Sequence, residues 1–253
     1  MKKFCEINMT LAMQNITLRA KDSRHLLKNI SLTIEGGKTT VLLGASGSGK
    51  TLSLSVLQGM IPPNLQLTSG EILLNNKPIN PAKIRGRIFA SIMQNPRTCF
   101  NPLFTMQSHI KETLHALQKP YDSAMIESVL HEVGLEFAIL NRYAFELSGG
   151  MLQRAMIAIA LLAEANFLLA DEPTNSLDSD NQQKILNVLD SIQTKRNIGI
   201  LLITHDLHIA IQKAEQILII HHGMIQEVLH PALFDSTVLH KILIEKLLAL
   251  TTA

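Results

Sequence analysis

Cysteine is scarce in this chain, which has only Cys5 and Cys99. The two residues lie far apart and lack the close spacing of a metal-binding motif or the density of a disulfide framework. We therefore expect two free thiols and a reducing, cytoplasmic location.

Charge is also sparse. Charged residues make up 17% of the 253, the formal net charge is +2, and no Lys or Arg block follows the short start at Lys2 and Lys3. The lack of a basic tract argues against a nucleic-acid partner, and a small phosphate ligand fits better. Because 46% of the residues are hydrophobic, we expect protein partners to cover part of the surface.

Segments that would cross a membrane or direct export are lacking as well. The longest uncharged run, Thr51 to Gly70, contains Pro62-Pro63 and several polar residues, unlike a membrane-spanning helix. The N-terminus has Glu6 and Asn8 where a signal peptide needs an unbroken apolar stretch. We expect a protein that is neither exported nor embedded in a membrane.

The pattern of apolar residues predicts an α/β fold. Alternation from Ile7 to about Ile34, with a polar turn at 21–24, indicates an antiparallel β layer. The apolar strand Thr40–Leu43 leads into a glycine-rich loop, and a helix follows from about Lys50. Further short strands are predicted at Ser69–Leu74, Ile88–Met93, Phe167–Ala170, Gly199–Ile203 and Gln216–Ile220.

The segment from about Met106 to Ala163 is helical in pattern and shows no convincing strand. We therefore predict one domain over residues 1–253, with an inserted α-helical lobe at about 95–163. A C-terminal helix over 236–250 should pack on the domain. Its predicted apolar stripe is Val238, Leu239, Ile242, Leu243, Leu247 and Leu250.

The glycine-rich loop matches the phosphate-binding pattern G-x-x-x-x-G-K-[ST]. Its glycines let backbone N–H groups curl around a phosphate, and the next helix adds the positive end of its dipole. Lys50 should reach the β- and γ-phosphates, and the Thr51 hydroxyl should ligate Mg²⁺. The predicted nucleotide-binding residues here are Gly44, Ala45, Ser46, Gly47, Ser48, Gly49, Lys50 and Thr51.

Two carboxylates follow an apolar strand, where α/β sheets place ligands. Asp171 is expected to hold Mg²⁺ through its water shell, and Glu172 to polarise the attacking water. The alternative is that both acids only cap the turn at Pro173-Thr174. The phosphate-binding loop elsewhere in the chain favours the catalytic interpretation.

Gln94 and His205 also follow predicted strands, and Leu147-Ser148-Gly149-Gly150-Met151 lies between the loop and the acidic pair. Alone, each would be unremarkable. Together, Gly44 to Thr51, Gln94, Leu147 to Gly150, Asp171-Glu172, Ser176-Leu177-Asp178 and His205 resemble, in order, the Walker A, Q-loop, signature, Walker B, D-loop and switch-histidine motifs of ABC transporter ATPase subunits.

This resemblance implies an ATPase with a P-loop NTPase core that uses ATP and Mg²⁺. Thr51, Gln94 and Asp171 would hold the metal, and Lys50, Gln94, Glu172 and His205 would serve catalysis. In that family two ATPase subunits sandwich two ATP molecules head to tail. Ser148, Gly149 and Gly150 would then bind a nucleotide that is held mainly by the partner.

One departure from the family concerns the base. Leu18-Arg19-Ala20 lacks the aromatic residue that stacks on adenine in relatives. His25 is one candidate substitute, and apolar contacts alone are the other. Base specificity is expected to be loose.

Within the family, Met93-Gln94-Asn95-Pro96-Arg97 and Met151-Leu152-Gln153-Arg154 resemble the subgroup that serves nickel and peptide importers, and are most similar to nickel-import ATPases. That resemblance implies import of nickel or a nickel chelate, with oligopeptide or dipeptide as the alternative cargo. It also implies a second, non-identical ATPase subunit, membrane permease subunits and an extracytoplasmic substrate-binding protein. A homodimer stays open because every motif is present. The chain would act peripherally at the cytoplasmic face of the membrane.

Two other functions stay open. A soluble, non-transport ABC ATPase is disfavoured by the single motif set and the lack of a basic tract. A regulatory module without turnover is disfavoured because Lys50, Glu172 and His205 are all present. The pair His221-His222 is interpreted as solvated turn residues rather than as a nickel site.

Overall fold

The computed structural model describes residues 9–175 and 177–251, so Cys5 and Ser176 lie outside the described residues. Its strands are β1 Thr10–Ala20, β2 His25–Glu35, β3 Thr39–Leu43, β4 Leu65–Leu74, β5 Lys77–Pro78, β6 Phe89–Ile92, β7 Phe167–Asp171, β8 Gly199–Thr204, β9 Gln216–His221 and β10 Met224–Leu229. They form two sheets, with orders β2-β1-β4-β5 and β10-β9-β3-β8-β7-β6.

The smaller sheet confirms the predicted antiparallel layer, because β1 pairs antiparallel with both β2 and β4. Alternate side chains of β1 and β2 are buried, as expected of strands with one covered face. Their ladder is irregular next to Asn15 and Asn29, where φ is +55° and +53°. Asparagine tolerates this left-handed conformation better than most residues, and such irregularities bend a sheet around its core.

The larger sheet sets the position of the site. Strand β3 lies between β8 and β9 and runs parallel to both, and β7 and β6 continue the parallel order. Every residue of β3, β7 and β8 is buried. Because parallel strands end at the same edge, residues that follow β3, β6, β7 and β8 gather there.

The helices are α1 Lys50–Leu57, α2 Pro81–Ile84, α3 Met106–Ala116, α4 Ser123–Glu132, α5 Gly149–Leu162, α6 Ser179–Arg196, α7 Leu207–Lys213 and α8 Ser236–Thr251. Helices α3 to α5 occupy the segment with helical periodicity. Thr105, Asp122 and Ser148 cap their N-termini by accepting backbone N–H bonds. Among residues 9–175 and 177–251, no helix combines the length and apolar character needed to cross a membrane.

Helix α8 packs on the domain as predicted, through Leu239 and Leu243, which are fully buried. Ile242, Leu247 and Leu250 are partly buried against the same core. The prediction for Val238 is wrong, since half of this side chain is exposed. Adjacent helical residues point about 100° apart, so Val238 lies beside the buried stripe.

Candidate functional site

The phosphate-binding loop leaves the buried end of β3 and continues into α1. Its backbone is left-handed at Gly47 and Gly49, where φ is +78° and +113°, so a side chain would strain either position. The Lys50 ammonium donates to the carbonyl oxygens of Gly44 and Ala45, at 2.8 and 2.9 Å. This lysine is therefore folded back on its own loop.

Burial shifts the pKa of two charged side chains at this edge, Lys50 and Asp171. Burial lowers the pKa of Lys50, while the charges of Glu172 and Asp171 oppose that shift. Burial also raises the pKa of Asp171, and a hydrogen bond from Thr51 works in the opposite direction. Thr51 Oγ1 donates to Asp171 Oδ2 over 3.2 Å. These hydroxyl and carboxylate oxygens are ligands of the kind that Mg²⁺ takes in proteins, so the pair fits a magnesium site.

Glu172 lies immediately after β7, with its carboxylate held by three side chains. Oε2 accepts from Gln94 Nε2 at 3.1 Å and from Asn175 Nδ2 at 3.0 Å. Oε1 is 3.2 Å from His205 Nδ1. The backbone of Glu172 is left-handed, with φ of +44°. Energetically costly backbone conformations of this kind cluster at functional sites.

The structure brings most of the predicted residues to one cavity of about 560 Å³. Ser48 lies in the same loop but outside this cavity, with its hydroxyl buried and without a hydrogen-bond partner among the described residues. The cavity is lined by Ala45, Ser46, Gly47, Gly49, Lys50, Thr51, Leu52, Gln94, Glu172, Asn175 and His205.

Ser148, Gly149 and Gly150 are not in that cavity. They line a second cavity of about 630 Å³, which Gln94 and Asn175 also border. Ser148 caps α5, since its Oγ accepts from Met151 N at 3.3 Å. The first N–H groups of α5 at Gly149 and Gly150 therefore lie beside this second cavity, where a helix N-terminus attracts anions.

Sequence reasoning does not single out three residues that the structure places here. Asn175 bonds to Glu172 as described. Gln153, which is buried, donates to the carbonyl oxygen of Met93 at 3.4 Å, one residue before Gln94. Asn181 lies so close to Gly150 that a Cβ there would be 2.9 Å from Asn181 Oδ1. Asn175 had a usable signal, because Pro173 and an asparagine two residues later mark a turn.

The D-loop segment is described only in part, because Ser176 is outside the described residues. Asp178 caps α6: its Oδ1 accepts from Asn181 N at 2.9 Å, and its Oδ2 from Asn181 Nδ2 at 2.7 Å. These hydrogen bonds lower the pKa of Asp178. Asp178 is thereby tied to the first turn of α6.

The histidines considered from the sequence lie elsewhere. His25 is exposed at the start of β2 and does not line the phosphate-binding cavity. His221 ends β9, and its ring centroid is 3.9 Å from that of His222 in the turn to β10. The next residue, Gly223, donates its N–H to the carbonyl oxygen of Ser48 at 2.9 Å. Among the described residues, no group of three or more His, Cys, Asp or Glu side chains forms a metal cluster.

Comparison with protein families finds one matching model, described as ABC transporter, over residues 27–175. A protein named nickel import ATP-binding protein NikD from Brucella abortus biovar 1 is 42% identical over 227 residues, which cover 86% of each chain. The protein of the same name from Pseudomonas putida is 41% identical over 206 residues, 80% of each chain.

Solved structures agree with this comparison. The cbiO1 subunit from Clostridium perfringens, part of the ABC transporter complex cbiONQ, superposes with a TM-score of 0.78 at 23% identity and supports the fold alone. It covers 95% of this chain, and 93% of that subunit is matched. A dimeric ATP-binding cassette in a post-hydrolysis state, bound to ADP and Pi, gives a TM-score of 0.75 at 25% identity. That match covers 87% of this chain and 98% of the cassette.

Proposed function

The chain belongs to the ABC transporter family, and we propose that it is the ATP-hydrolysing subunit of an importer for nickel or a nickel chelate. The names of the relatives from Brucella and Pseudomonas support the cargo. One observation supports the residue roles most strongly. The Glu172 carboxylate is held by Gln94, Asn175 and His205 at the border of the cavity that the phosphate-binding loop lines.

Glu172 is proposed to act as general base on the attacking water. His205 would contact the γ-phosphate and keep the base in register, since its ring already lies 3.2 Å from Glu172. Lys50 would leave the carbonyl oxygens of its own loop to bind the β- and γ-phosphates. Its hydrogen bonds to Gly44 and Ala45 already place the ammonium group beside the phosphate-binding loop.

Thr51, Asp171 and Gln94 are the proposed magnesium ligands. Gln94 bonds to Glu172 through its nitrogen, which leaves its amide oxygen available to a cation. The bound ion would neutralise charge on the β- and γ-phosphates. These residues would hold the nucleotide and ion together beside the carboxylate of Glu172.

Ser148, Gly149 and Gly150 are proposed to bind the nucleotide of a second ATPase subunit. They border the second cavity rather than the one lined by Lys50. ATP would then join two subunits head to tail, with the N-terminus of α5 directed at the partner's γ-phosphate. The second subunit is proposed to be a different chain.

Permease subunits are proposed to dock beside the Gln94 loop. An apolar groove of about 590 Å³ lies there, between β6 and helices α3 and α5. Met93, immediately before Gln94, lines it and is partly exposed. Phe104 is partly exposed, and its ring centroid lies 6.1 Å from that of His109 in the groove. Leu103, the preceding residue, is exposed as well, and apolar patches of this kind mark protein contacts. Pressure on this groove would reach Gln94 and, through it, Glu172.

The whole chain is proposed to work as one ABC ATPase domain, 1–253, with residues 95–163 as its helical lobe. It would lie peripherally on the cytoplasmic face of the membrane, held by the permease, with an extracytoplasmic binding protein delivering the cargo. Import of oligopeptide or dipeptide is the second candidate, because the Gln94 loop resembles that subgroup as well.

Uptake of radiolabelled nickel by the source cells tests the proposal. Cells that carry the native chain are compared with cells that carry Glu172→Gln and with cells that carry the control Glu127→Gln. The control changes an exposed glutamate on α4. Loss of nickel uptake in Glu172→Gln alone is expected. Labelled dipeptide is measured in parallel, and loss of that uptake alone would contradict the nickel assignment. No change in either would point to the soluble-ATPase alternative.

A further inference from the structure

Glu172 and Asn175 are the ends of one short turn that is closed twice. Asn175 N donates to the carbonyl oxygen of Glu172 at 3.0 Å. Asn175 Nδ2 donates to Glu172 Oε2 at the same distance. Pro173, second in the turn, has a ring that restricts the backbone. The carboxylate is thus held from within its own turn as well as from outside it.

The other two groups on this carboxylate come from distant parts of the chain. Gln94 follows β6 and His205 follows β8, whereas Asn175 is three residues from Glu172. Gln94 and Asn175 bond to the same oxygen, Oε2. Gln94 is also a proposed magnesium ligand and His205 a proposed phosphate contact, so each would share its side chain between the nucleotide and Glu172. Asn175 is the one of the three with no role toward the nucleotide in this assignment.

We propose that Asn175 is a positioning residue for the hydrolytic step. It holds Glu172 Oε2 so that the carboxylate keeps its direction while Gln94 and His205 engage the nucleotide. The inference rests on the proposed role of Glu172 as general base. Asn175 itself touches neither the water nor the phosphates in this assignment, so it should affect turnover more than ATP binding.

The test measures ATP hydrolysis by the assembled transporter, purified through a tag on this chain, over a range of MgATP concentrations. Asn175→Ala is expected to lower kcat about tenfold, with KM for ATP changed less than about twofold. Asn175→Asp should lower kcat further, because a second carboxylate would repel that of Glu172. Asn175→Ser, which keeps a donor, should recover part of the loss. Asn187→Ala, an exposed asparagine on α6, is the matched control.

Native kcat in both Asn175→Ala and Asn175→Asp would overturn the inference. So would a fall in kcat matched by an equal loss of ATP affinity, since that would place Asn175 in nucleotide binding. Asn175→Asp has nearly the same shape as the native residue, so it decides the matter if Asn175→Ala fails to fold.

Glu172→Gln in the same assay separates this inference from the role on which it rests. Native turnover in Glu172→Gln would refute the general-base role. Loss of turnover in Glu172→Gln, together with native turnover in Asn175→Ala and Asn175→Asp, would refute only the role of Asn175.

Discussion

Alanine at two glycines of the phosphate-binding loop should damage the protein in different ways. A Cβ at Gly44 would lie 2.4 Å from the carbonyl oxygen of Ile220 and 2.7 Å from Ser48 Oγ. The Ile220 oxygen is backbone of β9, which pairs with β3, so the sheet must give way. Overpacking of this kind costs about 1–3 kcal/mol. We expect Gly44→Ala to lower the free energy of unfolding by about 2 kcal/mol.

Gly47 is different, because a Cβ there would meet nothing within 4 Å. The only cost of the alanine is then the backbone strain of a left-handed φ, which is +78° here and costs about 1–2 kcal/mol. Reduced freedom of the unfolded chain offsets about 0.4–1 kcal/mol of that. Gly47→Ala should therefore lose about 1.6 kcal/mol or less. Its methyl group, in the open space of the cavity, should obstruct the phosphate and weaken ATP binding by about tenfold or more.

The assay pairs thermal melting of the nucleotide-free chain with titration of a fluorescent ATP analogue. At this chain length about 1 kcal/mol corresponds to roughly 2–4 °C, so Gly44→Ala should melt about 4–8 °C below the native chain. Gly47→Ala should melt closer to the native chain yet show the larger loss of affinity. A Gly47→Ala chain that melts lower than Gly44→Ala would refute the reasoning from the Cβ contacts.

Four other outcomes are expected. Lys50→Met should weaken binding of a fluorescent ATP analogue about tenfold or more, and native affinity would show that the lysine stays on its loop carbonyls. Because burial raises the pKa of Asp171, its charged form opposes folding above that pKa and no longer does so once protonated. Asp171→Asn should therefore raise the melting temperature in EDTA at neutral pH, with the difference fading in acid; an equal difference at every pH would exclude this cause. Gly150→Ala should lower the melting temperature of the native chain, and the fall should be much smaller when Asn181→Gly is already present. Equal falls in the two backgrounds would show that the two residues do not interact. GTP should compete with ATP at similar concentrations, and His25→Ala should leave both affinities unchanged; a strong ATP preference would refute the loose base specificity.

The phosphate-binding loop was predictable because its residues are contiguous. A strand, the segment Gly44 to Thr51 and a helix form one local unit, and the structure has them in that order. Asp171 and Glu172 were predictable in place because an apolar strand precedes them. The meeting of Gln94, Glu172 and His205 follows from the common edge of a parallel sheet, although their selection depended on the family resemblance.

Contacts that depend on how a helix is rotated about its axis cannot be predicted from this sequence. Asn181 and Gly150 belong to different helices, and only the packing of α5 on α6 brings Asn181 Oδ1 to 2.9 Å from a Cβ at Gly150. Val238 shows the same limit. The apolar pattern of α8 includes Val238 and Leu239 side by side, and the pattern alone does not decide which of the two is buried. Asparagine has many uses after a proline, so Asn175 could be assigned to a turn but not to Glu172.

Gln94 and Asn175 border both the cavity of the phosphate-binding loop and the cavity in front of Ser148. In a head-to-tail pair, each residue would therefore lie beside two nucleotides, one held by its own chain and one held by the other, and a substitution would lower turnover at both. A single altered gene would then impair both ATP sites of a heterodimer, even when the second gene is wild type. Lys50 lines only the first cavity, so its loss would leave the other site with all of its own residues. When native and altered copies compete for the same permease, alleles at Gln94 and Asn175 should accordingly be more dominant than alleles at Lys50.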